Sequence, residues 1–463
     1  MSKDKQEDYT VKKASSYGIG QFADTIALQM FTFFIFTFYF SVVGMDVNLI
    51  TVVFIIWSIW NAINDPLMGA LSDRTQTKLG RRKPYMIVSI IPLCVIMVLL
   101  WTPPVYSELA SFIYFIIVVI LFDITYTMYD LNYASLFPEM FQDLDNRAKA
   151  NNIKQGFTVI GLIFAFIMPT FFIPKLDDPQ YISNYSVAGL IMAIIVAIGA
   201  LICIKFGVKE RVEFSKDYIT APSLIDSLKY SIKNKGFRTF IIANLGYWYV
   251  IGMLPTIVPL YGTYVLNIGE GESILLGLLL GTTFISAAIF LALWRFVALK
   301  VGMKKGYMMA NAVFIITLIP FLFINDRGLA FIAFFIAGIG LSGALLFGDI
   351  LLAAIIDEDE LKRGTRREGG FYGINALITK LSTIFVIITI SLVFNSTGWK
   401  VFNPVPGTDT ILGLKSLICI FPAIALGIGI LSISRFPITK EGYEQIKESV
   451  KKLHSEKSDK IKG

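Results

Sequence analysis

Residues 61–84 read NAINDPLMGALSDRTQTKLGRRKP, and two features of this stretch decide the fold. It begins inside an apolar run that nevertheless carries Asn61, Asn64 and Asp65. It ends in a burst of positive charge at Arg74, Lys78, Arg81, Arg82 and Lys83. An apolar run long enough to cross a bilayer, closed by a basic cluster, reads as a membrane helix emerging into a cytoplasmic loop. A carboxylate inside such a helix costs about 2.5–3.5 kcal/mol on insertion scales, so Asp65 needs a reason.

The same alternation runs through the whole chain. Of its 463 residues 55% are hydrophobic and only 16% charged, whereas soluble domains are about a quarter charged. Twelve apolar spans are predicted, at about 17–40, 48–71, 85–103, 109–135, 152–173, 185–207, 238–265, 271–297, 306–324, 329–353, 370–395 and 411–434. Lys and Arg collect at the amino terminus, 72–84, 138–154, 205–238, 295–305, 357–368 and after 434, while the alternate loops carry almost none. The positive-inside rule then puts both termini in the cytoplasm. The expected fold is an all-α polytopic membrane protein of twelve transmembrane helices in two six-helix halves. A cytoplasmic segment 1–16 leads into the first half (17–207), a central loop (208–237), the second half (238–434) and a tail (435–463).

The halves show weak likeness to each other. GALSDRTQTKLGRRKPYM after span two corresponds to LWRFVALKVGMKKGYM after span eight, and LFPEMFQDLDNRAKANN after span four to IIDEDELKRGTRREGG after span ten. Basic loops at matching places suggest a parallel duplication of the major-facilitator kind, although cytoplasmic loops are basic in any case.

Other classes find little support. The net charge of +7 belongs to the loops, so no nucleic-acid partner is expected. Cys94, Cys203 and Cys419 fall singly in apolar runs and the one His454 lies in the tail, which supports neither a disulfide framework nor a resident metal. Residues 1–16 show no cleavable signal, so the first span is expected to serve as an uncleaved insertion signal. No nucleophile elbow, H-E-x-x-H or phosphate-binding loop is present, and an enzyme is not expected. The loop 208–237 and the tail are short for a sensor's output domain.

Seven charges fall inside spans: Asp24, Asp65, Asp123, Asp130, Lys154, Asp349 and Lys380. Trp57, Asn61, Asp65 and Gly69 recur every four residues and make one stripe on span two, where Pro66 leaves the Ala62 carbonyl without its helical donor. Asp123, Tyr126, Thr127, Asp130 and Ala134 make a stripe on span four. Carboxylate, amide and hydroxyl oxygens suit a small hard cation. Two acids brought close out of water ionise together only with a cation or proton between them. A purely structural alternative pairs Asp65 or Asp123 with Lys154 or Lys380. Trp57, Trp60, Tyr247, Trp248 and Tyr249 could stack on a sugar ring or simply pack.

Residues 61–84, together with TYTMYDLNYASLFPEM (125–140), DEDELKRGTRREGGFYG (357–373) and SYGIGQFAD (16–24), resemble the glycoside–pentoside–hexuronide:cation symporter family. The resemblance spans about 16–435 and implies a branch of the major facilitator superfamily that carries sugars with Na⁺, H⁺ or Li⁺ by alternating access. Asp65 matches the second acid of the family's span-two motif, Asp130 the span-four acid and Thr127 the Thr one turn before it. Lys380 matches a Lys near the cation site, and Lys154 aligns with an Arg that helps bind sugar in the family's melibiose carrier. Departures from that carrier are Asn61 for its first span-two acid, Asp24–Thr25 for a Lys–Asp pair, Ala134 for a Trp and Asp123 for a Gly. The pocket is thus rewritten relative to melibiose.

The resulting expectations are a cation site of Asp65, Asn61, Asp130 and Thr127, and a substrate site of Asp24, Thr25, Asp123, Tyr126, Asp130, Lys154, Asn375 and Lys380. Asp73, Arg74, Arg81 and Arg82 are expected to form a reversible cytoplasmic latch with Arg366, Arg367 and Glu368, because surface ion pairs are individually weak. The expected function is cation-coupled sugar or glycoside symport by a monomer in the cell membrane, with a lysolipid or other organic solute as the alternative cargo. No cofactor is expected beyond the coupling ion, Na⁺ or H⁺, and no metal beyond a transported Na⁺.

Overall fold

The computed structural model describes residues 10–141, 144–210, 224–363 and 368–462, and their regular structure is entirely helical. The elements are α1 (Val11–Thr37), α2 (Val47–Arg74), α3 (Lys83–Leu99), α4 (Glu108–Met140), α5 (Leu144–Ile167), α6 (Ile182–Ile202), α7 (Leu224–Lys233), α8 (Lys235–Tyr264), α9 (Ile274–Val301) and α10 (Met303–Leu318). They continue with α11 (Arg327–Arg363), α12 (Glu368–Ser396), α13 (Thr408–Ile418), α14 (Ile420–Ile433) and α15 (Lys440–Lys462). Among the described residues, 11 helical stretches are long and apolar enough to cross a membrane. The protein is therefore a multi-pass membrane protein. The expected third span coincides with α3, which has 17 residues and an internal Pro92, too short to count with the others. The expected twelfth span coincides with α13 and α14, one apolar stretch from Thr408 to Ile433.

Helix starts follow local chemistry. Thr10 accepts the Lys13 N–H at 3.1 Å, Asp46 accepts the Asn48 N–H at 2.8 Å and Ser107 the Ala110 N–H, so α1, α2 and α4 each open on a side-chain oxygen that satisfies an orphan donor.

The chain forms two compact units. The first holds residues up to Ala221 together with Pro255–Gly281 and Ile390–Gly413. The second holds Pro222–Leu254, Thr282–Thr389 and Leu414–Gly463. In the first unit α1 packs on α5 and α6, α2 on α4, and α3 on α4 and α6. Helix α1 is apolar or small on almost every face and is enclosed accordingly. Its later half and the π-helical turn Phe38–Val42 form an aromatic wall, in which Tyr39 stacks on Phe115 and Phe40 meets Phe394 and Trp399. In the second unit α10 packs on α11 and α14 around Trp294, Tyr307, Phe347 and Phe371. The polar tips there are satisfied, with Trp294 donating to the Ile339 carbonyl and Tyr307 to the Ala243 carbonyl.

One close approach bears on the site. A Cβ added at Gly161 of α5 would stand 2.9 Å from Thr25 Cβ and 3.2 Å from the Phe22 carbonyl oxygen of α1. Backbone cannot turn aside as a side chain can, so Gly161→Val should push α5 off α1 beside Thr25. The expected cost is about 1–3 kcal/mol, read as a lower midpoint of thermal unfolding in detergent, whereas Gly156→Ala, which meets open space, should leave the midpoint in place.

Candidate functional site

Spans two and four meet along a polar seam. On α2, Trp57, Asn61 and Asn64 follow at i, i+4 and i+7 and all three donate to Asp123 of α4. Trp57 Nε1 and Asn61 Nδ2 reach Asp123 Oδ1 at 3.0 and 2.7 Å, and Asn64 Nδ2 reaches Oδ2 at 2.8 Å. One turn further along both helices, Thr127 Oγ1 donates to Asp65 Oδ1 at 3.3 Å. Pro66 lies within α2 at this level, where a missing N–H frees a carbonyl. The two stripes therefore meet at Asp65 and Thr127.

The α4 stripe serves two neighbours. While Asp123 and Thr127 face α2, Tyr126 and Asp130 join a second group with α1 and α5. Tyr126 hydrogen-bonds Asp24, and Asp24, Asp130 and Lys154 lie within electrostatic reach of one another. Gln21 steers the start of this group, donating to Asp24 Oδ2 at 2.9 Å and to Thr25 Oγ1 at 3.3 Å. The Lys154 ammonium also lies over the rings of Phe137 and Tyr133, at 5.4 and 5.9 Å from their centroids. Asp24, Thr25, Tyr126, Asp130 and Lys154 are thus brought together. Asn375 and Lys380 belong to the second unit, where Asn375 Oδ1 accepts from Asn244 Nδ2 at 2.7 Å.

Two residues of these groups, Asn64 and Gln21, were not among the expected site residues. A stripe read strictly at every fourth position passes over Asn64, which is reached at i+3 from Asn61. Gln21 is signalled by its i, i+3 and i, i+4 spacing to Asp24 and Thr25. Trp57 packs against Phe31 and Phe54 while its N–H holds Asp123, an arrangement that assigns the indole to packing.

The basic loop after α2 is built into the first unit. Arg81 is 7% exposed and pairs with Glu139 of α4 and with Glu210 beyond α6, and Arg82 lies 3.6 Å from Glu139. Glu210 also accepts the backbone N–H groups of Arg81, Arg82 and Lys83 at 2.7, 3.1 and 3.4 Å. It thereby caps the start of α3, whose own N-cap residue Arg82 offers no side-chain acceptor. Gly80, at φ +100°, makes the turn that aligns these donors. Arg74 is exposed. Arg366 and Arg367 lie outside the described residues, as do the side chains of Asp73 and Glu368. Glu139 and Glu210 are the partners that the sequence did not indicate.

Residues 16–440 match the family described as MFS/sugar transport protein. Among relatives, an uncharacterized symporter of Synechocystis sp. is 24% identical, with 96% of each chain covered. A sodium-dependent lysophosphatidylcholine symporter of Xenopus tropicalis is 23% identical over 87% of this chain and 82% of its own. The crystal structure of the nucleoside transporter NupG superimposes with a TM-score of 0.67 at 14% identity, covering 93% of this chain and all of that one, and shares the fold.

Proposed function

The chain belongs to the family of MFS/sugar transport proteins, and from that premise we propose that it moves a sugar or glycoside together with Na⁺ or H⁺ by alternating access. The observation that carries this is the grouping of Asp65 with Thr127, and of Asp24, Tyr126, Asp130 and Lys154, inside one membrane-spanning unit. Inside its spans this unit carries four carboxylates, counting Asp123, and one ammonium, that of Lys154, which lies within reach of Asp24 and Asp130. Such an excess in a bilayer is costly unless a cation or proton neutralises it, and neutralisation that changes with conformation couples an ion to a cargo.

The proposed cation ligands are Asp65, Asn61, Thr127 and Asp130. The proposed substrate residues are Asp24, Thr25, Tyr126, Asp130 and Lys154, and, from the sequence alone, Asn375 and Lys380. We propose twelve spans with both termini cytoplasmic. Helix α3 supplies the extra one, since its 17 residues reach about 25 Å and nearly match a hydrocarbon core of roughly 30 Å. The protein is proposed to work as a monomer in the cell membrane and to release its cargo chemically unchanged. Arg81 and Arg82, held by Glu139 and Glu210, are proposed to be the fixed half of the cytoplasmic latch.

A panel of labelled solutes offered to cells or vesicles, with Na⁺ or a pH gradient imposed in turn, tests the function. Uncharged glycosides are expected to enter about tenfold faster than matched uronates or sulfonates, because a further anion beside a group of carboxylates is repelled. If no glycoside, pentoside or hexuronide enters under either gradient, the sugar assignment fails. The second reading keeps the coupling and exchanges the cargo for a lysolipid. The lysophosphatidylcholine symporter's match over most of this chain favours it, and lysophosphatidylcholine belongs in the same panel.

A further inference from the structure

Asp123 is 1% exposed and takes hydrogen bonds from three uncharged donors of α2. A carboxylate only accepts, so each asparagine facing it must turn its amide nitrogen inward. Asn64 does so twice over, reaching Asp123 Oδ2 at 2.8 Å and its carbonyl oxygen at 3.1 Å. Asn61 spends its nitrogen on Asp123 Oδ1, and its own Oδ1 is buried with no hydrogen-bond partner among the described residues. An amide oxygen fixed in that way is costly unless something comes to it. One helical turn along, Asp65 accepts from Thr127. Amide, carboxylate and hydroxyl oxygens together make a hard donor set of the kind that binds Na⁺, and an amide oxygen at this place has no use in carrying a proton.

We propose that Asp123 is a positioning residue: by holding the Asn61 amide nitrogen it fixes Asn61 Oδ1 as an oxygen ligand for Na⁺ beside Asp65 and Thr127. The proposal rests on the coupling-ion reading above and narrows it to Na⁺. Asp123 itself acts through Asn61 and touches neither ion nor cargo, which moves it out of the substrate site where the sequence had placed it.

The test is binding of ²²Na⁺ to the purified full-length protein, with choline chloride as the control salt. Asp123→Asn and Asn61→Ala are each expected to raise the Kd for Na⁺ about tenfold, the scale of losing one charge-assisted or ion-directed contact. Because Asp123 acts through Asn61, the double variant should bind within about threefold of Asn61→Ala alone. A merely structural Asp123 would instead lower the number of competent sites and the unfolding temperature, leave the Kd in place, and add its effect in full to that of Asn61→Ala. Should Asp123→Asn fail to fold, the exchange of Asn61→Asp with Asp123→Asn keeps an amide–carboxylate pair and should bind Na⁺ within about threefold of the unaltered protein. An unchanged Kd in Asp123→Asn, or loss of binding in the exchange variant, overturns the positioning role. Asp65→Asn separates the two levels: loss of Na⁺ binding there leaves the cation site standing, and retained binding removes that site as well. An unaltered protein that binds no Na⁺ yet accumulates cargo on a pH gradient overturns the Na⁺ proposal and leaves proton coupling.

Discussion

Asp65→Asn should reduce gradient-driven accumulation to an inside-to-outside ratio of about one while exchange of cargo across the membrane continues. Asp65 sits on α2 where Thr127 of α4 donates to it, and an amide at this position can neither balance a cation nor carry a proton. The cargo would then lose its link to the ion gradient while keeping its proposed ligands, the group of Asp24, Tyr126, Asp130 and Lys154. A potential of 100 mV on one charge is worth about 2.3 kcal/mol, so the loss is roughly fiftyfold in accumulation. Full accumulation by the variant would remove Asp65 from the mechanism.

Arg81→Met should be the most destabilising change outside the spans. The Arg81 side chain is 7% exposed, and its partners Glu139 and Glu210 are 10% and 8% exposed. Removing one member of a buried ion pair leaves the other charge without compensation, which typically costs about 3–5 kcal/mol. Arg82 remains 3.6 Å from Glu139, and the three backbone donors still hold Glu210, so the lower end, about 3 kcal/mol, is expected. Glu210→Gln keeps an oxygen for those donors and should cost about 1 kcal/mol. Arg74→Ala, at an exposed position, should stay within about 0.5 kcal/mol. Thermal unfolding in detergent orders the three variants, and equal effects for Arg81 and Arg74 would show that the loop is held by something other than this clasp.

The membrane-spanning fold was legible because burial in lipid leaves two strong marks on a sequence, apolar runs of span length and basic loops between them. Length at the margin is less legible. The apolar stretch 85–103 reads as a full span, yet its helix ends at Leu99 and turns through Leu100 and Trp101. Family membership was carried by motifs that sit at loop ends and on polar faces, and the match over residues 16–440 bears it out.

Within the site, helical spacing was enough to bring Asp65 to Thr127, since both lie on stripes that a single helix pattern reveals. The partners of Asp123 were not readable. They lie about sixty positions away in sequence, and an acid on a polar stripe looks the same whether it meets a solute or three donors of a neighbouring helix. The partners of Arg81 and Arg82 escaped for a related reason. Positive-inside patterning concerns Lys and Arg, and nothing local marks Glu139 or Glu210 as the acids that bind them. The compact units also take in Pro255–Gly281 and Ile390–Gly413 with the first half, a grouping made by packing between distant segments that no local period records.

The most direct measurement is accumulation of an uncharged glycoside by the purified protein in sealed liposomes, followed as the imposed Na⁺ or pH gradient is varied in steps. Coupled symport requires the steady-state inside-to-outside ratio to rise with the gradient, up to about tenfold for each tenfold of a singly coupled ion, and to fall to one when the gradient is dissipated. A ratio that stays at one under every Na⁺ and pH gradient, with cargo still crossing, would contradict the account.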